Sequence, residues 1–306
     1  MLNEIVKRFL YLIPIILGVI FLSFIIMHAI PGNPAEVILG LDATPENVAK
    51  LEKEMGLDKP LLVQYALYIK RLLHGDLGYS YRTERTVSEE IRQRYPNTIM
   101  LAAVALLFVL FFGGITGIFC ALKPNSKSDF LLRGVSVIGI SLPEFWSGFL
   151  FILLFAVYLH WLPSEGKYGL TSFILPGFTL ALSGIGMTSR LIRSSLLEVL
   201  KEPYIRTARS KGVSKLMIVI RHALKNAMIP AITIMGFQLG RFLGSAVVVE
   251  MVFNWPGMGR LAIEGIMGRD VPVVQAAILL LALTYVVINL IADILYIILD
   301  PRIRYS

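Results

Sequence analysis

The sequence predicts an all-α integral membrane protein with six transmembrane helices, and three observations carry that prediction. Of 306 residues, 56% are apolar and only 16% are charged, and the mean hydropathy is +0.72, which excludes an ordinary water-soluble globule. Six stretches offer the roughly 20 apolar residues that a helix needs to cross a hydrocarbon core of about 30 Å: residues 9–30, 99–122, 135–159, 173–189, 229–253 and 276–299. Charge is sorted around them. With the N-terminus inside, the inner segments hold sixteen Lys and Arg against five acids, and the outer segments twelve against thirteen. The formal charge of +8 is therefore read as cytosolic loops obeying the positive-inside rule, not as a nucleic-acid surface.

The first span follows Lys7 and Arg8, as a signal peptide would. Its apolar run reaches Ile30 before Pro31-Gly32-Asn33-Pro34, longer than the roughly 7–15 residues of a signal core, so it reads as a retained anchor. The fourth span is the weakest helix former, carrying Pro176, Gly177, Gly184 and Gly186. Two loops are long, an outer one over 31–98 and an inner one over 190–228. In the outer loop Thr44-Pro45-Glu46 is a helix start, and Leu61, Leu62, Tyr65, Leu67, Tyr68, Ile69 and Leu72 recur at helical spacing. No linker rich in Pro, Gly or Ser divides the chain, so 1–306 reads as a single transmembrane domain.

Several chemistries are absent from the sequence. It has no GxxxxGK[ST] phosphate loop for ATP, no GxSxG serine and no HExxH helix. Gly257-Met258-Gly259 with Ala262 mimics a dinucleotide fingerprint but follows Trp255-Pro256 at the end of a span, outside any βαβ unit. Cys120 is the only cysteine, and His28, His74, His160 and His222 have no metal-ligand spacing.

The inner loop holds the most specific pattern. Pro203 stands in a first-turn position and Gly212 in a helix-stop position, which predicts a short helix from Pro203 to Lys211. A second helix then resumes through Leu216, Ile218, Val219 and Ile220 to Lys225, its apolar residues seated on the bundle and Lys215, Arg221 and Lys225 in water. Within the spans Glu144, Arg241, Glu250 and Asp293 are charged. A lone charge at the middle of a span costs roughly 2.5–3.5 kcal/mol on insertion scales, so Arg241 needs a partner or water. Glu144 matches it in depth on a straight third span. The two are read either as a structural ion pair or as residues of a translocation path, and Asp293 as structural.

The stretch Ile205-Arg206-Thr207-Ala208-Arg209-Ser210-Lys211-Gly212, followed by Arg221-His222-Ala223-Leu224, resembles the cytosolic EAA loop of ATP-binding-cassette importer permeases. It is similar in particular to the B-type permease of the dipeptide, oligopeptide and nickel importers. Arg206 replaces the first acid of the general motif, and Lys225 stands where its later Pro falls. Other matching stretches are His28-Ala29-Ile30-Pro31-Gly32-Asn33-Pro34, His74-Gly75-Asp76-Leu77-Gly78, Pro143-Glu144-Phe145-Trp146-Ser147-Gly148, Phe253-Asn254-Trp255-Pro256-Gly257-Met258-Gly259 and Asp300-Pro301-Arg302-Ile303-Arg304. The resemblance implies a type I importer fold in a bacterial or archaeal cytoplasmic membrane, with both termini cytosolic. It implies a second homologous permease, two cytosolic ATPases that bind the ATP and Mg, an extracytoplasmic substrate-binding protein and surrounding lipid as partners, and no cofactor or nucleic acid on this chain. Coupling to the ATPases would fall to Arg206, Thr207, Ala208, Arg209, Lys211 and Gly212, and the cargo would be a dipeptide or oligopeptide. A nickel or metal-chelate cargo is the alternative within the family. An ion-coupled carrier using Glu144, Arg241 and Asp293 is the alternative outside it.

Overall fold

The computed structural model describes residues 2–29, 33–80 and 82–299 and is almost entirely helical. In chain order the helices are α1 (Leu2–Ala29), α2 (Pro34–Leu39), α3 (Pro45–Met55) and α4 (Leu61–Leu73). A two-stranded ribbon pairs Tyr79 with Thr86 and Ser80 with Arg85. Then come α5 (Val87–Leu122), α6 (Lys127–Ser141), α7 (Glu144–Tyr158), α8 (Leu170–Val199) and α9 (Pro203–Ser210). The last are α10 (215–227), α11 (Ile229–Val252), α12 (Met258–Met267) and α13 (Val271–Leu299). Asp300-Pro301-Arg302-Ile303-Arg304, expected as a cytosolic turn and anchor, and Ile30-Pro31-Gly32 lie outside the described residues.

Four helices, α5, α8, α11 and α13, are long and apolar enough to cross a membrane. In α1 the apolar stretch with described side chains runs Leu12–Ile25, inside a 28-residue helix. The stretch 135–159, expected as one straight span, is instead two helices, α6 and α7, bent by 113°. The cause is Pro143, which drives the preceding residue out of the helical region: Leu142 sits at φ −75°, ψ 130°. Six spans are counted only if this bent pair and α1 are each taken once.

Two span boundaries also differ from expectation. α5 starts at Val87, twelve residues before Ile99, because Thr86 and Glu89 form a reciprocal cap: the Glu89 N–H donates to Thr86 Oγ1 at 3.3 Å and the Thr86 N–H to Glu89 Oε2 at 3.2 Å. α8 does not stop at Ser189 but runs to Val199, with Ile192 and Leu196 fully buried on its last turns. The inner loop proper therefore starts ten residues later than expected.

The chain forms two compact units, one of Ile99–Trp255 with the C-terminal segment from Val287, the other of Leu2–Thr98 with Pro256–Val286. In the first, α8 is the central helix. Its core joins Leu101, Ala105 and Val109 of α5, Leu175, Leu180 and Ala181 of α8, and Phe242 and Val249 of α11, closed by Trp255 edge-on to Phe173 at 4.6 Å. Gly184, a liability for helix propensity, has a packing reason: an added Cβ would lie 2.8 Å from Val109 of α5 and 2.5 Å from Gln238 of α11. Only a bare Cα lets three helices meet there. The second unit packs Val87 and Ile91 against Met258, Leu261, Val273, Ala276 and Ala277. Within it Phe24 of α1 meets Tyr65 of α4 at 5.3 Å, and the Asn97 amide donates to the Pro256 carbonyl at 2.7 Å. The expected loop helices are present: Thr44 caps α3 by accepting from the Asn47 N–H at 3.3 Å, with Pro45 in the first turn. Met258-Gly259 of the false dinucleotide pattern simply opens α12.

Candidate coupling helix and translocation-path residues

The inner loop folds as a helical hairpin. Glu202 is extended, Pro203 fills the first turn of α9, and the helix ends after Ser210 with Lys211 as its cap residue. Gly212 then takes φ +79°, a left-handed conformation that reverses the chain at no Cβ cost. The anchor on the bundle side is Ile205, fully buried in a cluster with Leu196, Ile218, Val219, Ala223 and Ala227, against which Ala208 also packs. Arg206, Thr207, Arg209, Lys211 and Gly212 are exposed, and Ala208 is half-buried. Of the two small residues, Thr207 faces outward and Ala208 faces the chain's own core.

On α10 the seated residues are Ile218, Val219, Ala223 and Ala227, one face at helical spacing. Leu216 and Ile220, expected to seat as well, are instead exposed at 62% and 58%. The tie between the two arms is Asn226, whose amide donates to the Tyr204 hydroxyl at 2.9 Å.

Arg241 and Glu144 come into the same neighbourhood without forming the expected ion pair. Arg241 Nη2 donates to Ser183 Oγ at 2.7 Å, Nη1 lies 3.7 Å from Met187 Sδ, and Nε is buried with no hydrogen-bond partner. Glu144 is the first residue of α7, beyond the bend, and its hydrogen bond goes to Ser245, one turn along α11 from Arg241. No Glu144–Arg241 contact lies within ion-pair distance among the described residues. The depth match holds to about one helical turn, but beyond the bend at Pro143 the Glu144 carboxylate is engaged by Ser245 and no ion pair closes with Arg241. Asp293 is half-buried on α13.

The charge that does pair tightly was not singled out from sequence. Asp129, fully buried in the first turn of α6, takes a bidentate grip from Arg193 of α8: Nε donates at 2.9 Å and Nη2 at 2.8 Å, with the Asn125 N–H adding a third bond at 2.9 Å. The sequence signal was available, since Ser126-Lys127-Ser128-Asp129 has the spacing of a cap, and the Asp129 N–H donates to Ser126 Oγ at 3.1 Å. A second buried amide was likewise missed: Gln238 Nε2 donates to Thr188 Oγ1 at 3.1 Å while Oε1 has no partner.

In the other unit Glu264 collects Arg94 at 2.8 Å and Arg260 at 2.7 Å, and Ser80 donates to Asp270. Burial raises the Glu264 carboxyl, but Arg94 and then Arg260 outweigh it and hold the group below the ordinary value. Among the described residues no group of His, Cys, Asp and Glu could hold a metal ion.

Apolar helices long enough to cross a membrane, with one further pair broken at a proline, place the chain among integral membrane proteins. The chain belongs to the family of inner membrane components of binding-protein-dependent transport systems, the permeases of ATP-binding-cassette importers: the family model matches residues 113–305, and its N-terminal companion matches 1–102. Over its full 306 residues the chain is 44% identical to the glutathione transport system permease protein GsiC of Salmonella typhimurium and 43% identical to that of Escherichia coli K12, covering 100% of each. The fold matches an inward-facing MetNI methionine ABC transporter at TM-score 0.59 and 17% identity, over 69% of this chain and 96% of that one. An amino acid ABC transporter matches at TM-score 0.54 and 13% identity, over 68% and 94%. The protein is thus an importer permease with the type I fold, and the ion-coupled carrier alternative is set aside.

Proposed function

We propose that this chain lines half of the translocation path of an importer for small peptides of the glutathione class, driven by ATP hydrolysed on partner subunits. The observation that carries the reading is the 44% identity, without truncation of either chain, to permeases named for glutathione transport. A dipeptide or longer peptide is the broader form of the same reading, and a nickel chelate its alternative. A second permease of the same family completes the path, two ATPases holding ATP and Mg dock on the hairpin, and an extracytoplasmic protein delivers cargo. α9 is the coupling element: it is short, exposed on its Thr207 side, pinned by Ile205 and reversed by Gly212. Such a rigid peg passes a push from below into α8 and α11.

The test is uptake in proteoliposomes holding the assembled complex, with binding protein outside and ATP inside. Labelled glutathione should accumulate with the membrane potential collapsed and should stop when ATP is withheld. Uptake of labelled nickel chelate with no uptake of glutathione or dipeptides would replace the peptide reading. The orientation, with both termini and the hairpin in the cytosol, is tested by Ser210→Cys: Ser210 is exposed and Cys120 is buried, so labelling by an impermeant thiol reagent in intact cells would reverse the topology.

A further inference from the structure

Along α8, residues Ser183, Met187, Arg190 and Ser194 recur at four, three and four residues, so they form one face. That face is polar and poorly buried, unlike the rest of the helix. Its lower part opens onto a cavity of about 590 Å³ lined by Arg133, Met187, Arg190, Leu191, Arg193, Ser194 and Ile234. A volume in the range of about 300–1,000 Å³ is typical of small-molecule sites.

The charge in this basin is not balanced. Three guanidiniums line it, and the one carboxylate bonded to any of them is Asp129. That carboxylate is already committed to the bidentate grip of Arg193 and the Asn125 N–H. Arg133 Nε forms an ion pair with Asp129 Oδ1 at 3.4 Å, sharing that carboxylate with Arg193, and is buried without a hydrogen-bond partner. Arg190 makes no hydrogen bond or ion pair among the described residues and is exposed. Above them Met187, which also lines the basin, touches Arg241, whose Nε is buried and unpartnered too. Three guanidiniums around one committed carboxylate leave this open basin net positive, and such a concentration of like charge favours an anion. A planar fork of two N–H groups fits a carboxylate.

We propose that this basin is an oxyanion site that receives the free carboxylate of the imported peptide after it passes Arg241, on the part of α8 that leads into the coupling hairpin. The assignment rests on the peptide reading given above and adds to it that the cargo travels as an anion. A lipid phosphate has the same chemistry, so the test separates the two. The assembled complex, without binding protein, is placed in nanodiscs of phosphatidylcholine, and binding of labelled glutathione and of glutathione diethyl ester is measured. Arg190 has no structural bond to lose, so Arg190→Gln should leave assembly intact and weaken glutathione binding about tenfold. Arg190→Lys should recover most of it, and the diester should bind weakly to every form.

Equal glutathione binding by wild type and Arg190→Gln overturns the site. So does a wild type that binds no glutathione but retains copurified phosphatidylglycerol that Arg190→Gln loses, which assigns the basin to lipid. The uptake assay keeps the two levels apart. Wild type that imports no peptide removes the peptide reading and this site with it, whereas peptide import unaffected by Arg190→Gln, together with unchanged binding, removes this site alone.

Discussion

Arg193 of α8 and Arg241 of α11 each reach across to a neighbouring helix, and the two arginines are treated in opposite ways. At the base of α6, Arg193 is matched donor for acceptor by Asp129, which has no exposed surface. On α11, Arg241 has a serine hydroxyl, a thioether contact and an open Nε. A charge that is fully paired holds helices in register. A charge left half-paired keeps a donor available, and we propose that this donor meets the cargo. The difference is one of bonding, and it is invisible to hydropathy, which scores both residues alike.

The largest effect should come from breaking the complete pair. Asp129→Asn leaves Arg193 without its counter-charge, and removing one partner of such a pair costs about 3–5 kcal/mol. The detergent-solubilised complex should melt at clearly lower temperature or fail to assemble. An unchanged melting curve would mean that Arg193 finds another partner and that the contrast drawn here is wrong.

Next is the reversal of the hairpin. Gly212→Val forces a β-branched residue into the left-handed region at a cost of about 1–2 kcal/mol, whereas Gly212→Asn is tolerated there. Uptake and cargo-stimulated ATPase activity should fall in the Val variant and persist in the Asn variant, with both assembled. Substitution of Ala208 is a poorer probe than the EAA-like motif suggests, because Ala208 packs on the chain's own Leu196–Ala227 cluster. Thr207→Glu, on the exposed side, isolates the proposed ATPase contact and should uncouple ATP hydrolysis from transport without loss of folded protein.

A smaller effect belongs to Glu264, whose partners are partly exposed. Its folded carboxyl is held below its ordinary value, so its contribution is present above the ordinary carboxylate range and is lost as the pH falls through the lowered folded value. Glu264→Gln should cost no more than about 1 kcal/mol near neutral pH. The gap between mutant and wild-type melting temperatures should close in acid. A gap that widened on acidification would reverse the sign assigned to this group.

The same contrast explains how much could be read from the sequence. The spans, the helices at Pro45 and Leu61, and the α9 hairpin were legible because apolar runs, first-turn prolines and Gly212 act locally. The bend at Pro143 was equally local, yet hydropathy averages over it, so a broken pair passed for one span. The extension of α8 to Val199 was hidden for another reason: Arg190 and Arg193 look like the start of a cytosolic loop, and the partner of Arg193, Asp129, lies 64 residues away in the sequence. Depth along the spans did bring Glu144 and Arg241 into one neighbourhood, but it could not show that beyond the bend the Glu144 carboxylate is engaged by Ser245. Resemblance added to α9 only the expectation of a coupling role, which Pro203 and Gly212 do not carry by themselves.

The most direct test of the half-paired arginine compares Arg241→Gln with wild type in reconstituted, fully assembled importer, using one peptide with a free C-terminal carboxylate and the same peptide amidated. Transport of the free acid should fall severalfold while transport of the amide is unchanged. Equal loss of both peptides, or loss of neither, would contradict the account and leave Arg241 as a structural residue bonded to Ser183.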